Sequence, residues 1–465
     1  MGLEKDWISL GNMVHKAIKM LEKSNVTLAE AFFTSTRTIE VTIRNSEIFT
    51  QNMVDDSGVG FRAVAPRNKV GFACTNTLNE KAILETGEKA SDIAKVSSET
   101  PNFALPEASK PLKVKGLYDP KIKEVTIEEA VDIAKREITA AEDFDKRVIA
   151  KDGRVVFQSG WRGVINTLGV DFGEQETKAV IYLGGSGKQN GEVTGSCSDF
   201  MFTRTADLNP EKVGKNVAEM VIALFNPKPL KSFEGTAIFG PEAVSYQIFN
   251  TLVDALKGEN VIARRSAWTQ KTGEMVASEN LTITDNAILE KGFDSRSFDD
   301  EGCSSQNTTL VKKGKLESFL HNAASANALK SSNTGNASRF SGGLDMTSSI
   351  IGNGYRAKPE IYPSNLIIQP GNETKEELAK ETAKGILIES MAGFPQAGSG
   401  MISAQLSRAF FIQNGEIQYP IKSGMVSGIA FDWLKTISGT GKDSKQFMNA
   451  VVPSLRVEEV KVIGA

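Results

Sequence analysis

Apolar and polar residues alternate with a period of two in several stretches of the first 80 residues. Apolar side chains occupy positions 39, 41 and 43 and polar ones occupy positions 40, 42 and 44, which predicts a half-buried β-strand. A second strand is predicted through Ile48 and Phe49, a turn and a third strand are predicted within residues 55–64, and a fourth strand is predicted over residues 70–75. Helical spacing before residue 28 and a capping-box spacing of Thr77 and Glu80 predict flanking helices. Consecutive strands beside helices favour an α+β fold with mostly antiparallel sheets.

Two more units follow a connection that is rich in proline. Residues 98–125 contain four prolines and few periodic apolar positions, which is typical of an extended linker. Thr126 and Glu129 have capping-box spacing, and Asn209 precedes Pro210 at the predicted start of another helix. After a strand predicted over residues 233–239, short strands separated by turn residues continue to the end of the chain. We therefore predict an N-terminal α+β domain (1–100), a middle α+β domain (101–228) and a strand-rich C-terminal domain (229–465).

The composition is that of a globular protein without a marked charge bias. Hydrophobic residues make up 40% of the 465 residues, and 54 Lys and Arg against 57 Asp and Glu give a formal net charge of -3. This balance gives no electrostatic support for a nucleic-acid partner, and no apolar run is long enough to span a membrane. Three widely spaced cysteines are typical of reduced thiols. The predicted location is the cytoplasm, without a nucleic-acid or membrane partner.

The chain offers few metal ligands. His15 and His321 are its two histidines, and neither lies in an H-E-x-x-H or H-E-x-x-x-H helix. No two of the three cysteines have C-x-x-C spacing. Because a zinc hydrolase needs about three protein ligands that converge on one ion, we predict no metal, no cofactor and no catalytic residue in this chain.

Cys303 is a candidate nucleophile. It follows Asp299, Asp300 and Glu301 in the segment FDDEGCSS. A reactive cysteine needs a nearby base and electropositive surroundings that lower its pKa, whereas three carboxylates disfavour the thiolate. A pair of Cys303 with His321 would require the fold to bring the two residues together, and we predict that it does not form.

Four segments are informative together: residues 39–62 end in SGVGFR, residues 298–302 read FDDEG, residues 312–320 read KKGKLESFL, and residues 414–420 read NGEIQYP. In this order along the chain, they resemble the TldD/PmbA family, whose PmbA branch is also called TldE. The stretch around residues 332–335, rich in serine, threonine and glycine, fits the same pattern. The resemblance covers nearly the whole chain and implies N-terminal and C-terminal domains of the TldD/PmbA type.

The resemblance also implies which branch of the family this chain follows. TldD-type members carry an H-E-x-x-x-H helix and a later cysteine that together bind zinc. The corresponding helix here follows Gly240 and Pro241, and the metal-binding positions fall near Phe249, Asn250 and Asp254, which could not reproduce the site. No cysteine follows Cys303 in the sequence. The chain therefore resembles the PmbA/TldE branch, whose members pair with a zinc-bearing TldD-type subunit.

From this resemblance we predict the metal-free subunit of a metallopeptidase complex that degrades unfolded or short peptides. Zinc is expected in the TldD-type partner, and a homodimer is expected when that partner is absent. The loop of residues 331–354 lacks periodicity, which predicts a long and exposed segment that is either functional or mobile. The candidate substrate contacts lie in this loop and in the segment NGEIQYP: Ser332, Asn333, Thr334, Gly335, Asn414, Gly415 and Glu416.

Two other functions remain open from the sequence. The chain could be an autonomous hydrolase with a non-metal site, which chelator-insensitive turnover by the purified chain would support. It could also be a regulator associated with DNA gyrase, as an older family name, modulator of DNA gyrase, suggests. A salt-dependent gel shift would distinguish this second alternative.

Overall fold

The computed structural model of the chain describes residues 2–339, 354–393, 395–396 and 398–464. Its helices are α1 Gly2–Glu22, α2 Glu80–Val96, α3 Pro120–Glu124, α4 Ile127–Phe144, α5 Pro210–Ile222, α6 Pro241–Ala243, α7 Phe249–Leu256, α8 Gly258–Ile262, α9 Ala323–Leu329, α10 Lys375–Lys380 and α11 Ala430–Lys435. A π-helical turn, Val244–Ile248, joins α6 to α7, and a 3-10 turn spans Gly354–Arg356. None of the helices in these residues is long and apolar enough to cross a lipid bilayer.

One antiparallel sheet runs through the first 203 residues. Its strands are β1 Leu28–Arg44, β2 Glu47–Ala65, β3 Lys69–Thr75, β4 Val148–Asn166, β5 Asp171–Gln189, β6 Glu192–Val193 and β7 Cys197–Thr203. Their order is β3-β2-β1-β4-β5-β6, and β7 also pairs with β5. Strands β1 and β4 pair over 15 positions, from Glu30 opposite Asn166 to Arg44 opposite Asp152. The sheet therefore joins strands from the first and second predicted units.

Two details of the first unit differ from the prediction. The second and third predicted strands are one strand, β2, because the expected turn at residues 55–58 stays extended. Asp55 there forms an ion pair with Arg37 on β1 (2.8 Å), which holds the two strands in register. Helix α2 is capped by Asn79, whose side chain accepts a hydrogen bond from the backbone of Ala82 (2.8 Å), so the predicted capping role of Thr77 is wrong. The capping box of Thr126 and Glu129 at the start of α4 is confirmed.

Four helices cover one face of this sheet with apolar side chains. Helices α1 and α2 pack on the half that contains Phe33 and Phe61, and α4 and α5 pack on the half that contains Val41, Val155 and Ile181. These odd-numbered side chains point toward the helices. Because successive residues of a strand point to opposite faces, the even-numbered side chains point to the other face. That other face contacts the C-terminal part of the chain, and it is mixed: Val156 and Val180 join the C-terminal apolar core, and polar side chains occupy another part of the face.

The C-terminal part contains fifteen further strands within the described residues. They are β8 Phe233–Phe239, β9 Ile283–Asn286, β10 Asn307–Lys312, β11 Lys315–Leu316, β12 Ala337–Ser338, β13 Glu360–Ile361, β14 Leu366–Ile368, β15 Lys384–Ala392, β16 Met401–Gln413, β17 Glu416–Pro420, β18 Gly424–Ile429, β19 Ile437–Thr440, β20 Lys445–Phe447, β21 Ala450–Val452 and β22 Leu455–Gly464. Five of them pair in a closed ring, β15-β8-β22-β18-β16 and back to β15. A second sheet has the order β11-β10-β9-β14-β21-β20.

The predicted fold class is confirmed. Among the described strands, only β8 with β15 and β14 with β21 are parallel neighbours, and all other ladders are antiparallel. The largest apolar core lies in the C-terminal part, where Phe239, Leu252 and Trp433 are buried together. Helix α7 belongs to this core through Phe249, Leu252 and Val253.

Candidate functional site

The face of the first sheet that points away from the helices buries polar side chains. Thr34, Thr36 and Thr38 follow one another at alternate positions of β1, and Arg162 and Gln158 lie opposite Thr34 and Thr38 on β4. All five are buried in the folded chain. Buried polar groups are usually hydrogen-bonded, and the segment FDDEG provides the partners of Arg162 on the C-terminal side.

Asp300 of this segment connects the sheet to the C-terminal part. One carboxylate oxygen accepts a hydrogen bond from Arg162 Nη1 (2.5 Å), and the other accepts one from the backbone N–H of Arg339 (2.6 Å). Arg162 also donates to Glu174 on β5 (2.8 Å) and to the carbonyl of Phe298. Burial opposes the charge of Arg162, but Glu174 and Asp300 outweigh this effect and raise its pKa.

Glu301 makes a second connection to the same sheet. It accepts hydrogen bonds from Arg62 on β2 (2.9 Å) and from the backbone N–H of Ala323 (3.0 Å). Arg62 also pairs with Glu30 (2.5 Å), which in turn pairs with Arg339. Burial raises the pKa of Glu301, and the charge of Arg62 opposes that rise. The buried charges thus form a chain of alternating sign between the first sheet and the C-terminal part.

Asp299 stabilises the FDDEG segment itself. It accepts hydrogen bonds from the backbone N–H groups of Glu301 (3.0 Å), Cys303 (2.8 Å) and Ala337 (3.0 Å). Burial, followed by the charge of Glu301, raises its pKa to about 7, although the N–H donors act in the opposite direction. Three consecutive carboxylates therefore have three different partners, which explains why an acidic triplet is tolerated in the interior.

A pocket of about 130 Å³ lies between the polar sheet face and the C-terminal part. Thr34 and Arg162 line it from the sheet, and Arg296, Arg339 and Asp300 line it from the opposite side. Because both parts of the chain contribute charged groups to this pocket, it is the principal candidate functional site. We call it the interdomain pocket.

The predicted contacts of the loop at residues 331–354 are only partly described. Residues 340–353 lie outside the described residues. Thr334 is buried rather than exposed, and its hydroxyl pairs with the backbone of His321 and with the side chain of Asn336. Gly335 has φ +72° and places its carbonyl 3.3 Å from Arg296 Nη2, while Asn333 accepts from Gln306 through its carbonyl. Ser332 has an exposed side chain.

The other group of predicted contacts occupies a hairpin turn. Asn414 and Gly415 connect β16 to β17 with φ values of 52° and 80°, which is the conformation of a type I′ turn and favours an Asn-Gly pair. Their backbone N–H groups bond to the carbonyls of Ala383 and Thr382. Glu416 is exposed and pairs with Gln418. This turn contacts a different part of the chain from residues 332–335, and none of its residues lines the interdomain pocket.

The helix expected to match the zinc-binding helix of the family carries no suitable set of ligands. Phe249 is buried in the C-terminal core, and the amide nitrogen of Asn250 donates to the carbonyl of Tyr246 (2.8 Å). Asp254 supplies a single carboxylate in a half-buried position. Zinc is held by cysteine, histidine and carboxylate side chains, so these three residues do not fit the ion. In the part of the chain that the structure describes, no three His, Cys, Asp or Glu side chains are grouped to hold a metal.

Cys303 and His321, the two residues considered for thiol catalysis, have different hydrogen-bond partners. Cys303 Sγ contacts the carbonyl of Ser304 (3.8 Å), and His321 Nδ1 contacts Ser325 Oγ (3.2 Å). Burial, followed by Asp299 and Glu301, raises the pKa of the Cys303 thiol. Burial lowers the pKa of His321 to about 4. The expected effect of the carboxylates on Cys303 is confirmed, but burial, which the sequence did not reveal, is the larger cause.

Sequence reasoning missed most of the interdomain pocket. The segments FDDEG and SGVGFR were noted as resemblances without a structural role, although Glu301 and Arg62 within them are ion-pair partners. A usable signal was present in β1, where Thr34, Thr36 and Thr38 occupy alternate positions and therefore share one face of the strand.

The chain matches three metallopeptidase domains of known type, which together cover most of its length. The chain matches the PmbA/TldA metallopeptidase domain 1 over residues 29–94, the PmbA/TldA metallopeptidase central domain over residues 120–225, and the PmbA/TldA metallopeptidase C-terminal domain over residues 233–464. The chain belongs to the PmbA/TldD family.

Relatives of both branches are similar to it over most of their length. The metalloprotease PmbA of Escherichia coli O157:H7 is 27% identical over 447 residues, which cover 94% of this chain and 92% of the relative. A metalloprotease TldD homolog of Buchnera aphidicola is 24% identical and covers 87% of this chain and 83% of the relative. The crystal structure of TldE from Thermococcus kodakarensis has a TM-score of 0.87 at 24% identity and covers 97% of this chain and 100% of that one. This likeness shows that the two proteins share a fold.

Proposed function

We propose that this chain is the metal-free, TldE/PmbA-like subunit of a TldD/TldE-type metallopeptidase complex that acts on unfolded or short peptides. The carrying observation is the set of side chains on α7: a buried Phe249, an amide at Asn250 and one carboxylate at Asp254. These groups do not fit zinc, so the proposal assigns peptide-bond cleavage to a zinc-bearing TldD-type partner.

In this proposal the chain contributes walls and contacts for an extended peptide. Strand edges can bind such a peptide by backbone hydrogen bonds. Ser332, Asn333, Thr334 and Gly335, together with the turn Asn414, Gly415 and Glu416, remain proposed substrate contacts. Thr334 would act through the backbone position that it holds, since its hydroxyl already pairs with His321 and Asn336.

The proposal includes a location and a division into domains. The three cysteines are unpaired, with Cys74 exposed and Cys197 buried, which supports a reducing compartment such as the cytoplasm. The proposed domains are residues 1–100, 101–228 and 229–465. The first two share one sheet, so we expect them to unfold as a single cooperative unit.

The proposal is tested by mixing the purified chain with a zinc-loaded TldD-type subunit and an unfolded peptide. We expect little cleavage by the chain alone, cleavage by the mixture, and loss of that cleavage on addition of a chelator. Metal analysis of chain purified without a histidine tag is expected to give much less than one zinc per chain. One tightly held zinc per chain, or chelator-insensitive turnover by the chain alone, would contradict the proposal.

The same purified chain can be used to test a role in association with DNA. A Thermotoga maritima protein that bears the provisional name of a modulator of a DNA gyrase is 25% identical, with a TM-score of 0.85 and coverage of 97% of this chain and 99% of that one. The near-neutral net charge of this chain gives no basis for direct DNA binding. A salt-dependent gel shift by the purified chain would favour that role over the peptidase subunit.

A further inference from the structure

The interdomain pocket is large enough to hold more than ordered water. Its volume is about 130 Å³, whereas roughly 10–15 Å³ is enough to hold one water molecule. Phe32, Tyr362, Pro363 and Met448 give it an apolar part, and charged side chains line the rest. This combination suits a small group that has one charge and a short apolar extension.

Two of the residues that line this pocket each have a buried polar atom without a hydrogen-bond partner among the described residues. The atoms are Thr34 Oγ1 and Arg296 Nε, and both side chains are more than nine-tenths buried. A buried donor without a partner costs free energy, so a ligand group that accepts hydrogen bonds would be stabilised there. Thr34 lies on the sheet and Arg296 lies in the C-terminal part, so such a group would contact both parts of the chain.

The other cations of the pocket are already paired. Arg162 binds Glu174 and Asp300, and Lys178 binds Asp294 (2.6 Å). Arg204, also in the lining, donates mainly to backbone carbonyls, including that of Ser295 (2.6 Å).

Arg296, in contrast, donates to the carbonyl of Gly335 and makes no ion pair within 4 Å to a described residue. The carboxylates near Arg296 are already bonded elsewhere. Asp285 accepts from Asn336 and Ser364, and Asp299 accepts from backbone N–H groups. The positive charge of Arg296 is therefore the one best placed to receive an additional anion.

We propose that the interdomain pocket binds the free α-carboxylate of a peptide, with Arg296 and Thr34 as its hydrogen-bond donors. The inference rests on the proposed function, since it assigns part of the peptide substrate to this chain. The other four cations of the lining form ion pairs with carboxylates, so the remaining charge of Arg296 matches a single negative charge better than a doubly charged group such as phosphate. The apolar lining would contact the side chain of the last peptide residue.

Isothermal titration of the purified full-length chain tests this proposal with acetyl-dialanine and its C-terminal amide. These probes differ only in the carboxylate. We expect the acid to bind at least about 10-fold more tightly than the amide, because a charge-assisted hydrogen bond contributes more than a neutral one. Acetate is the third probe, and it is expected to bind more weakly than acetyl-dialanine because it lacks the apolar extension.

Variants assign the binding to the two proposed donors. Arg296→Gln is expected to weaken binding of acetyl-dialanine by about 10-fold or more, and Thr34→Val by roughly 3- to 10-fold. Arg264→Gln, at an exposed arginine of the same C-terminal part, is the matched control and should leave the affinity unchanged. Thr34→Val removes a hydroxyl without a partner, so the ligand-free variant should unfold at the same temperature or a higher one. It therefore keeps the proposal testable if Arg296→Gln does not fold.

Three results would overturn the proposal: equal affinity for the acid and the amide, equal affinity for acetate and acetyl-dialanine, or unchanged binding by both variants. Saturable binding that all three probes share would identify a general solvent-filled cavity instead. This experiment needs neither zinc nor a partner subunit. Its failure is therefore distinct from a failure of the mixed-subunit cleavage assay, which tests the proposed function.

Discussion

At the scale of single residues, burial decides which charged groups are reactive. Cys303 is a thiol whose pKa is raised first by burial and then by Asp299 and Glu301. A nucleophilic cysteine needs the opposite environment. His321 is the histidine nearest to Cys303 in the sequence, but its side chain pairs with Ser325.

Cys303→Ala is therefore expected to leave the activity of the mixed subunits nearly unchanged. The thiol makes one long contact to a carbonyl, and its removal deletes no ion pair. Peptide cleavage by wild type and variant, each mixed with the same TldD-type subunit, provides the measurement. If the chain alone cleaves peptides and Cys303→Ala abolishes that cleavage, an autonomous cysteine hydrolase replaces the metal-free subunit.

A second single-residue feature is the buried carboxyl of Glu137 on α4. Neither of its oxygens has a hydrogen-bond partner among the described residues, and burial, followed by the charge of Asp199, raises its pKa well above the usual value. The protonated form is stable in the folded chain, while the unfolded chain ionises near pH 4.5. Stability is therefore fully present below about pH 4.5 and is lost as the pH rises through the folded pKa.

Glu137→Met is expected to raise the free energy of unfolding at pH 8 by about 1–3 kcal/mol, because it removes a carboxyl without a partner from the interior. The gain should shrink toward pH 4.5, where wild-type Glu137 is protonated in both states. Urea unfolding at several pH values measures the effect. Glu128→Met, at an exposed position of the same helix, is the control and should show no comparable pH dependence.

At the scale of elements, the FDDEG segment joins the first sheet to the C-terminal part. Its Asp300 bonds Arg162 and the backbone of Arg339, and its Glu301 bonds Arg62. Arg62 and Arg162 on the sheet are each more than 100 residues away from their carboxylate partners along the chain. Removal of one member leaves a buried charge unpaired, which costs more than the pair itself contributes.

Asp300→Asn is expected to lower the free energy of unfolding by roughly 2–4 kcal/mol, since Arg162 then keeps its charge with one carboxylate fewer. Denaturant unfolding, followed by fluorescence, provides the measurement. Asp432→Asn is the matched control, because Asp432 pairs with Lys435 at the surface and its loss should cost less than about 0.5 kcal/mol. Equal effects of the two substitutions would mean that the buried chain of charges does not hold the two parts together.

At the scale of the whole molecule, β2 leaves part of one edge of the first sheet uncovered. Strand β3 pairs with β2 only from Val59 to Ala65, so residues 47–56 of β2 pair with β1 alone among the described strands. Phe49 and Met53 are 58% and 54% exposed there. Exposed edges with apolar side chains favour association with another chain.

A homodimer is therefore expected when the TldD-type partner is absent, with a mass of about twice 50 kDa by light scattering under closed two-fold symmetry. Met53→Lys should shift the purified chain toward the monomer, because it places a charge on the uncovered edge. Leu112→Lys, at an exposed apolar residue elsewhere, should not. A wild-type chain that stays monomeric at micromolar concentration would contradict the expectation.

The sequence by itself determined the features that depend on near neighbours. Alternation identified β1, spacing identified the caps of α4 and α5, and ordered motifs identified the family. It also determined that Phe249, Asn250 and Asp254 cannot supply a set of zinc ligands, because that follows from the identity of their side chains.

Only the tertiary structure decided how the polar side chains are used. The FDDEG carboxylates are buried, and Arg62 and Arg162 lie opposite two of them in the fold. The interdomain pocket brings Thr34 and Arg296 together from positions more than 250 residues apart. Local patterns encode which face of a strand is polar, but the partner that satisfies this face is set by long-range packing, which no short stretch of the sequence specifies.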